Sequence, residues 1–272
     1  MKYKYIIGSG CSFSDCHESW LDSFDIKNKI NLSVGGCGNR YIQYSVIKQV
    51  LHLLEQDVSV DEILVGVQFT GLARLDFIAS EETPTPNDSL EDFGFATGGG
   101  VTDIGKGSAW IHSGGSNSFV RELIKPIFHE KYFLNYYKYF MTHTENWYNF
   151  LFYIITLQSF LKSNNIKYFF HTGWNLVDHW NGPTKSFQSN FIKFKQFDYL
   201  WNQIDHDKFI FCESNYRNHT LNTSKDNSKY GGMWQYLIER DGINLDNDHP
   251  SEYGQKIWGD YLKEQAISRN II

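Results

Sequence analysis

Ser12 lies in Gly10-Cys11-Ser12-Phe13-Ser14, a glycine turn that follows the short apolar run Lys2 to Ile7. The run reads as a buried strand, and a helix is expected from Ser14 or Asp15, with Trp20, Leu21 and Phe24 at helical spacing. A serine between a parallel strand and a helix sits at the carboxyl edge of the sheet, where open α/β sheets hold their ligands. The backbone N–H groups of that helix start favour a developing anion, which suits a nucleophile. The same serine also reads as a plain helix cap. A phosphate cradle is a third option, but Gly8-Ser9-Gly10 lacks the lysine of a P-loop and the third glycine of a dinucleotide turn.

At the other end of the chain stands Asp246-Asn247-Asp248-His249-Pro250. A carboxylate three residues before an imidazole on a turn can accept from its Nδ1–H. That contact fixes the tautomer and stabilises the imidazolium formed when histidine takes a proton from serine. Asp246 is the expected partner, with Asp248 as runner-up. Solvated caps with an exposed His249 are the bland alternative. A metal site is a minor one, since only one histidine is clustered here. Between these ends, Gly35-Gly36-Cys37-Gly38-Asn39 forms a second glycine turn whose N–H groups can approach a substrate oxygen. A third strand ends in Gln68-Phe69-Thr70, which offers one further polar donor.

The elements that must position these residues alternate. The strand at Lys2 to Ile7 is followed by a second at Ile30 to Ser33, a helix over Tyr41 to Leu54, and a strand at Asp61 to Phe69 apolar enough to be buried on both faces. This recurrence predicts a parallel sheet covered by helices. Ile78 to Ser118 then turns polar and glycine-rich and reads as an insertion, with Phe93–Ala96 and Ser108–His112 as a possible hairpin. Helices are expected over Phe119 to Phe128 and Lys131 to Lys162, the second broken near Thr142 to Thr144. A fourth strand follows at Ile166 to Trp174, a helix at Phe191 to Gln203 and a fifth strand at Lys208 to Cys212. Asn215 to Tyr230 reads as a loop, Trp234 to Arg240 as a short helix, and Ser251 to Ile267 as the closing helix. The aromatic run Tyr132 to Phe140 reads as helix packing more readily than as a sugar platform.

Length and composition bound the function. At 272 residues the chain suits one large domain, 1–272, with an insertion at about 78–118. Twenty-five basic against 31 acidic residues give a net charge of −6, which disfavours a nucleic-acid partner. Neither a secretory leader nor a membrane span is read, so no membrane partner and a cytoplasmic location are expected. Cys11, Cys16, Cys37 and Cys212 form no CxxC pair, so free thiols are expected, with no metal and no cofactor. Cys11 and Cys37 read as buried thiols; His112, His171 and His179 have no spaced partners. Aromatic residues make up 17% of the chain, enough to build a core and to stack on sugars.

Taken together, the pieces resemble the SGNH (GDSL-type) hydrolases. Gly10-Cys11-Ser12-Phe13-Ser14 is similar to that family's nucleophile motif, with Cys11 where aspartate is usual. Asn31-Leu32-Ser33-x-x-Gly36-x-Gly38-Asn39 resembles its second motif, and Asp246-x-x-His249-Pro250 its last, with Gly254 and Trp258 in the helix that follows. In the third motif Thr70 falls where the family has asparagine, and Gln68 where it has glycine. The resemblance implies a flavodoxin-like three-layer α/β/α sandwich around a mostly parallel five-stranded sheet. It implies a triad of Ser12, His249 and Asp246, and an oxyanion hole of Ser12, Gly36 and Thr70, with Gln68 as the alternative. The implied activity is serine-dependent ester hydrolysis or acyl transfer on a small O-acyl ester. An acetyl group on a carbohydrate is one such substrate. A non-catalytic glycan- or protein-binding module on the same fold is the competing reading. The oligomeric state is not legible.

Overall fold

All seven residues of Ile63–Phe69 are buried, so this segment takes the centre of the sheet. The computed structural model describes residues 2–72, 74–79, 101–105, 108–112, 142–177, 180–181, 188–189, 195–216, 228–244 and 249–272. In chain order its main strands are β1 (Tyr5–Ser9), β2 (Asn28–Asn31), β3 (Ile63–Phe69), β4 (Asp76–Ala79), β5 (Val101–Gly105), β6 (Ser108–His112) and β7 (Lys167–Thr172). Four of them form a sheet in the order β2-β1-β3-β7, and every neighbouring pair is parallel. Burial alternates along β2, as an edge strand with one wet face requires. The molecule therefore has α/β character, with the carboxyl ends of all four strands at one edge.

Helices α1 (Asn39–Glu55) and α2 (His143–Ser163) lie over one face. Ser9 Oγ meets Ser45 Oγ of α1 at 3.0 Å, and the Phe69 ring packs 5.7 Å from Phe150 of α2. The other face carries the short 3-10 turn Trp20–Ser23 and the last helix, α4 (Glu252–Ser268), which follows the six-residue α3 (Met233–Ile238). A side chain at Gly66 is excluded there, since a Cβ would lie 2.6 Å from the Phe169 ring and 2.7 Å from Trp20. Ser251 caps α4 by accepting from Gly254 N–H, as expected. Helix α1 has no cap of its own from Gly38. Instead Asp76 at the start of β4 accepts from the N–H groups of Gly38 and Tyr41, both at 2.7 Å, and its carboxylate also meets His112 Nδ1 at 2.9 Å.

Several expectations are corrected. No helix starts at Ser14: the N–H groups of Ser14 and Asp15 both reach Cys11 O, one turn forms, and the chain runs on to a capping box between Ser19 and Asp22. Burial of Trp20 against the sheet, with its Nε1–H donating to Ser14 Oγ at 2.9 Å, overrides the helical pattern. The expected fifth strand contributes a single parallel bridge, Phe170 to Phe209, beside β7. The chain then leaves the sheet, and Cys212–Ser214 pairs antiparallel with Ser228–Gly231, part of the expected loop. Ser108–His112 does pair, but with Val101–Gly105 and Asp76–Ala79; Phe93–Ala96 lies outside the described residues. Between 191 and 203 the described part is a 3-10 turn and one α turn, Asp198–Trp201. The helix expected from Lys131 is described from His143, with Thr142 as its cap, and the run 132–140 is outside the described residues. Among the described residues no helix is long and apolar enough to cross a membrane.

His171 on β7 is fully buried between Trp20 and Trp258, and its Nδ1 accepts from Trp258 Nε1–H at 3.3 Å. Burial lowers its pKa to about 3. The folded protein thus holds it neutral while the unfolded chain protonates it below about 6.5. Its share of stability is present above pH 6.5 and is lost as pH falls toward 3. Urea unfolding at pH 7.5 and pH 5 is expected to show a loss of about 2 kcal/mol from this group, which His171→Leu removes. The same pH dependence in the variant would contradict this account.

Candidate active site

Ser12 and His249 come from opposite ends of the chain and meet at the carboxyl edge of the sheet. His249 Nε2 lies 2.9 Å from Ser12 Oγ, and both residues are half-buried. The serine turn is fixed from behind. Gln255, on the first turn of α4, donates from Nε2 to Phe13 O at 2.6 Å and accepts from Trp20 N–H at 3.1 Å. Asn31 at the end of β2 donates to Ser14 O at 2.8 Å. The histidine is held by pairing of Asn244 with His249 and Ile243 with Pro250, and by Ser251, whose N–H and hydroxyl both donate to Gly242 O. The Phe13 ring packs edge-on against His249, 5.1 Å between centroids.

The second glycine turn lies against the first. Gly10 O accepts from Val34 N–H at 3.2 Å and Cys37 Sγ–H at 3.1 Å, and Asp15 accepts from Gly35 N–H at 2.7 Å. A Cβ at Gly35 would stand 4.0 Å from that of Ser12. Gly36 has φ 77°, a left-handed conformation that glycine adopts at no steric cost. Among the described residues, the backbone N–H groups of Ser12 and Gly36 have no hydrogen-bond partner. Two spare donors beside a serine are what a tetrahedral oxyanion requires.

The end of the third strand is tied to α1 and to the first turn. Asn39, on α1, clasps the Thr70 peptide from both sides, accepting from its N–H at 2.8 Å and donating to its carbonyl at 3.0 Å. The Thr70 hydroxyl is buried and has no hydrogen-bond partner among the described residues. Gln68 is also closed off: Cys11 Sγ–H reaches its Oε1 at 3.6 Å, and its Nε2 faces Met233 Sδ at 3.3 Å. Both side chains are fully buried. Cys11 and Cys37 are buried free thiols, and burial pushes the Cys37 thiol well up. Asp246 and Asp248 lie outside the described residues. A cavity of about 650 Å³ lined by Trp201, Phe209, Phe211 and Tyr230 lies apart from Ser12 and His249.

Gln255 and Asp76 were not singled out in the sequence, and Asn39 stood there only as the end of a motif, yet each positions the site. Gln255 carried a signal, because it shares a stripe with Trp258, Leu262 and Ala266, all buried. A lone amide on an apolar stripe must find partners. Asp76 carried none, since its partners come from a distant turn and from the insertion. No family model, curated protein or solved structure matches the chain.

Two substitutions test this geometry. Gln255→Met keeps the volume but strands the Phe13 carbonyl and the Trp20 N–H, and is expected to lower stability by about 1–3 kcal/mol in urea unfolding. An unchanged midpoint would show that the clasp carries no load. Thr70→Val removes a hydroxyl without a partner, so stability and kcat on an acetyl ester are expected to stay within about threefold of wild type. A hundredfold fall in kcat at constant KM would instead place that hydroxyl on the oxyanion.

Proposed function

We propose that this chain is a serine-dependent esterase or O-acyltransferase that works through an acyl-enzyme. The observation that carries the reading is the 2.9 Å approach of Ser12 Oγ to His249 Nε2. The unpaired N–H groups of Ser12 and Gly36 support it. In this mechanism Oγ attacks the ester carbonyl carbon while its proton passes to Nε2. The carbonyl oxygen becomes an oxyanion between the two backbone donors, so the charge forms where dipoles are already fixed. Collapse breaks the ester C–O bond, and the imidazolium returns its proton to the leaving alkoxide. Water, or the hydroxyl of an acceptor, then attacks the acyl-enzyme with His249 again as base. Asp246 is the proposed orienter of Nδ1, with Asp248 as the alternative.

The fold belongs to the same proposal. A three-layer sandwich of the SGNH type, with a fifth strand position beside β7, is supported by the strand order β2-β1-β3-β7 and by the Phe170–Phe209 bridge. A small O-acyl ester is the proposed substrate. No step calls on a metal or cofactor.

Ser12→Ala removes the covalent route and is expected to abolish turnover of 4-nitrophenyl acetate. The thermal midpoint is expected to move little, because the hydroxyl anchors no strand or helix and a side-chain cap is worth about 1 kcal/mol. Rate and midpoint are measured on the same preparation. Turnover that survives the substitution would end the hydrolase reading.

A further inference from the structure

We infer that the cleft takes O-acyl esters that also carry a carboxylate, and that Arg74 is the residue that selects them. This rests on the esterase reading and names the substrate class for that site. Arg74 follows β3 and the Thr70-Gly71 turn. Its guanidinium carbon stands 5.2 Å from the Trp174 ring centroid. Its Nη1 donates to Cys37 O at 3.4 Å, one residue beyond the oxyanion glycine, Gly36. A chain of contacts leads from Arg74 to the nucleophile. Trp174 packs on Phe13 at 5.3 Å, Phe13 on His249 at 5.1 Å, and His249 meets Ser12 at 2.9 Å. Gly71 packs closely under this pair, since a Cβ there would lie 3.0 Å from Trp174 and 3.7 Å from Arg74 Nε.

The chemistry of Arg74 is unspent. Asp76, two residues away, has its carboxylate filled by Gly38, Tyr41 and His112. Among the described residues no carboxylate pairs with Arg74, which is half-buried and keeps donors to spare beyond the one long bond to Cys37. A guanidinium held beside an indole keeps donors that a carboxylate can accept through two parallel bonds. In a chain of net charge −6, an arginine without a carboxylate partner, joined to the serine side of the sheet edge through Cys37 and Trp174, is also what an anionic substrate needs to approach.

The test compares 3- and 4-acetoxybenzoate with the neutral 3- and 4-acetoxybenzamides, following release of the phenol. The amides have the better leaving groups, so intrinsic reactivity works against the predicted order. Wild type is expected to prefer the carboxylates by about tenfold or more in kcat/KM. Arg74→Gln is expected to bring that ratio to about one. A purely structural role would lower both rates and leave the ratio unchanged, so a ratio near one in wild type, or the same ratio in Arg74→Gln, overturns the proposal. Calorimetric titration of wild type and Arg74→Gln with the same compounds separates the two claims. If nothing is turned over but the benzoates bind more tightly than the amides through Arg74, the esterase reading fails and the carboxylate site stands. Equal binding of benzoate and amide overturns the site.

Discussion

The amide of Gln255 is the joint on which the candidate site depends. It is 3% exposed, and it bridges the carbonyl of Phe13 and the N–H of Trp20, residues that lie 242 and 235 positions away in the chain. Both backbone groups sit where water is scarce, and an unpaired buried group costs about 1–3 kcal/mol. The cheapest way to satisfy both is to seat the first turn of α4 against the serine turn. His249 enters that helix six residues before Gln255, so seating the helix also delivers the imidazole. The meeting of Ser12 and His249 at 2.9 Å is thus a by-product of satisfying two backbone groups.

A second set of bonds settles the glycine turns against each other. Parallel strands end at one edge, and each leaves polar backbone groups that must be paired there. Gly10 O takes two donors from the second turn, Asp15 holds Gly35, and Asn39 holds the Thr70 peptide. Asp76 then spans from β4 to the start of α1 and binds His112 of β6. The hairpin of the insertion is in this way fastened to the turn that carries Gly36. What is left over after this pairing, among the described residues, is informative: the N–H groups of Ser12 and Gly36 in two adjoining turns. A rigid shell with two unspent donors is the preorganisation that oxyanion stabilisation calls for.

The sequence pattern made the parallel core legible because β3 reads as an unbroken apolar run and the glycine turns punctuate it. The pairing of Ser12 with His249 was legible for the same reason, since both stand at strand-to-helix junctions. The first helix was misread because Trp20 gains more by burial against Gly66 and Phe169 than the segment gains by continuing a helix. The fifth strand was misread because Phe209 and Ile210 satisfy only one bridge before Cys212 finds an antiparallel partner in Gly231. Thr70 was chosen as a donor from its place in a motif. Its hydroxyl proves buried, and burial at a strand end depends on packing from α1 and α3 that no local pattern reveals. Long-range clasps such as Asp76 leave no mark on spacing, because their partners are distant in sequence.

The central claim is that Ser12 is a nucleophile activated by His249. A fluorophosphonate probe reacts with such a serine and leaves it covalently phosphonylated, which peptide mapping by mass spectrometry locates. The account predicts a single adduct on the peptide containing Ser12, absent in Ser12→Ala and strongly slowed in His249→Ala at equal thermal stability. No adduct on folded wild-type protein, or labelling of Ser12 at an unchanged rate when His249 is replaced, would contradict it.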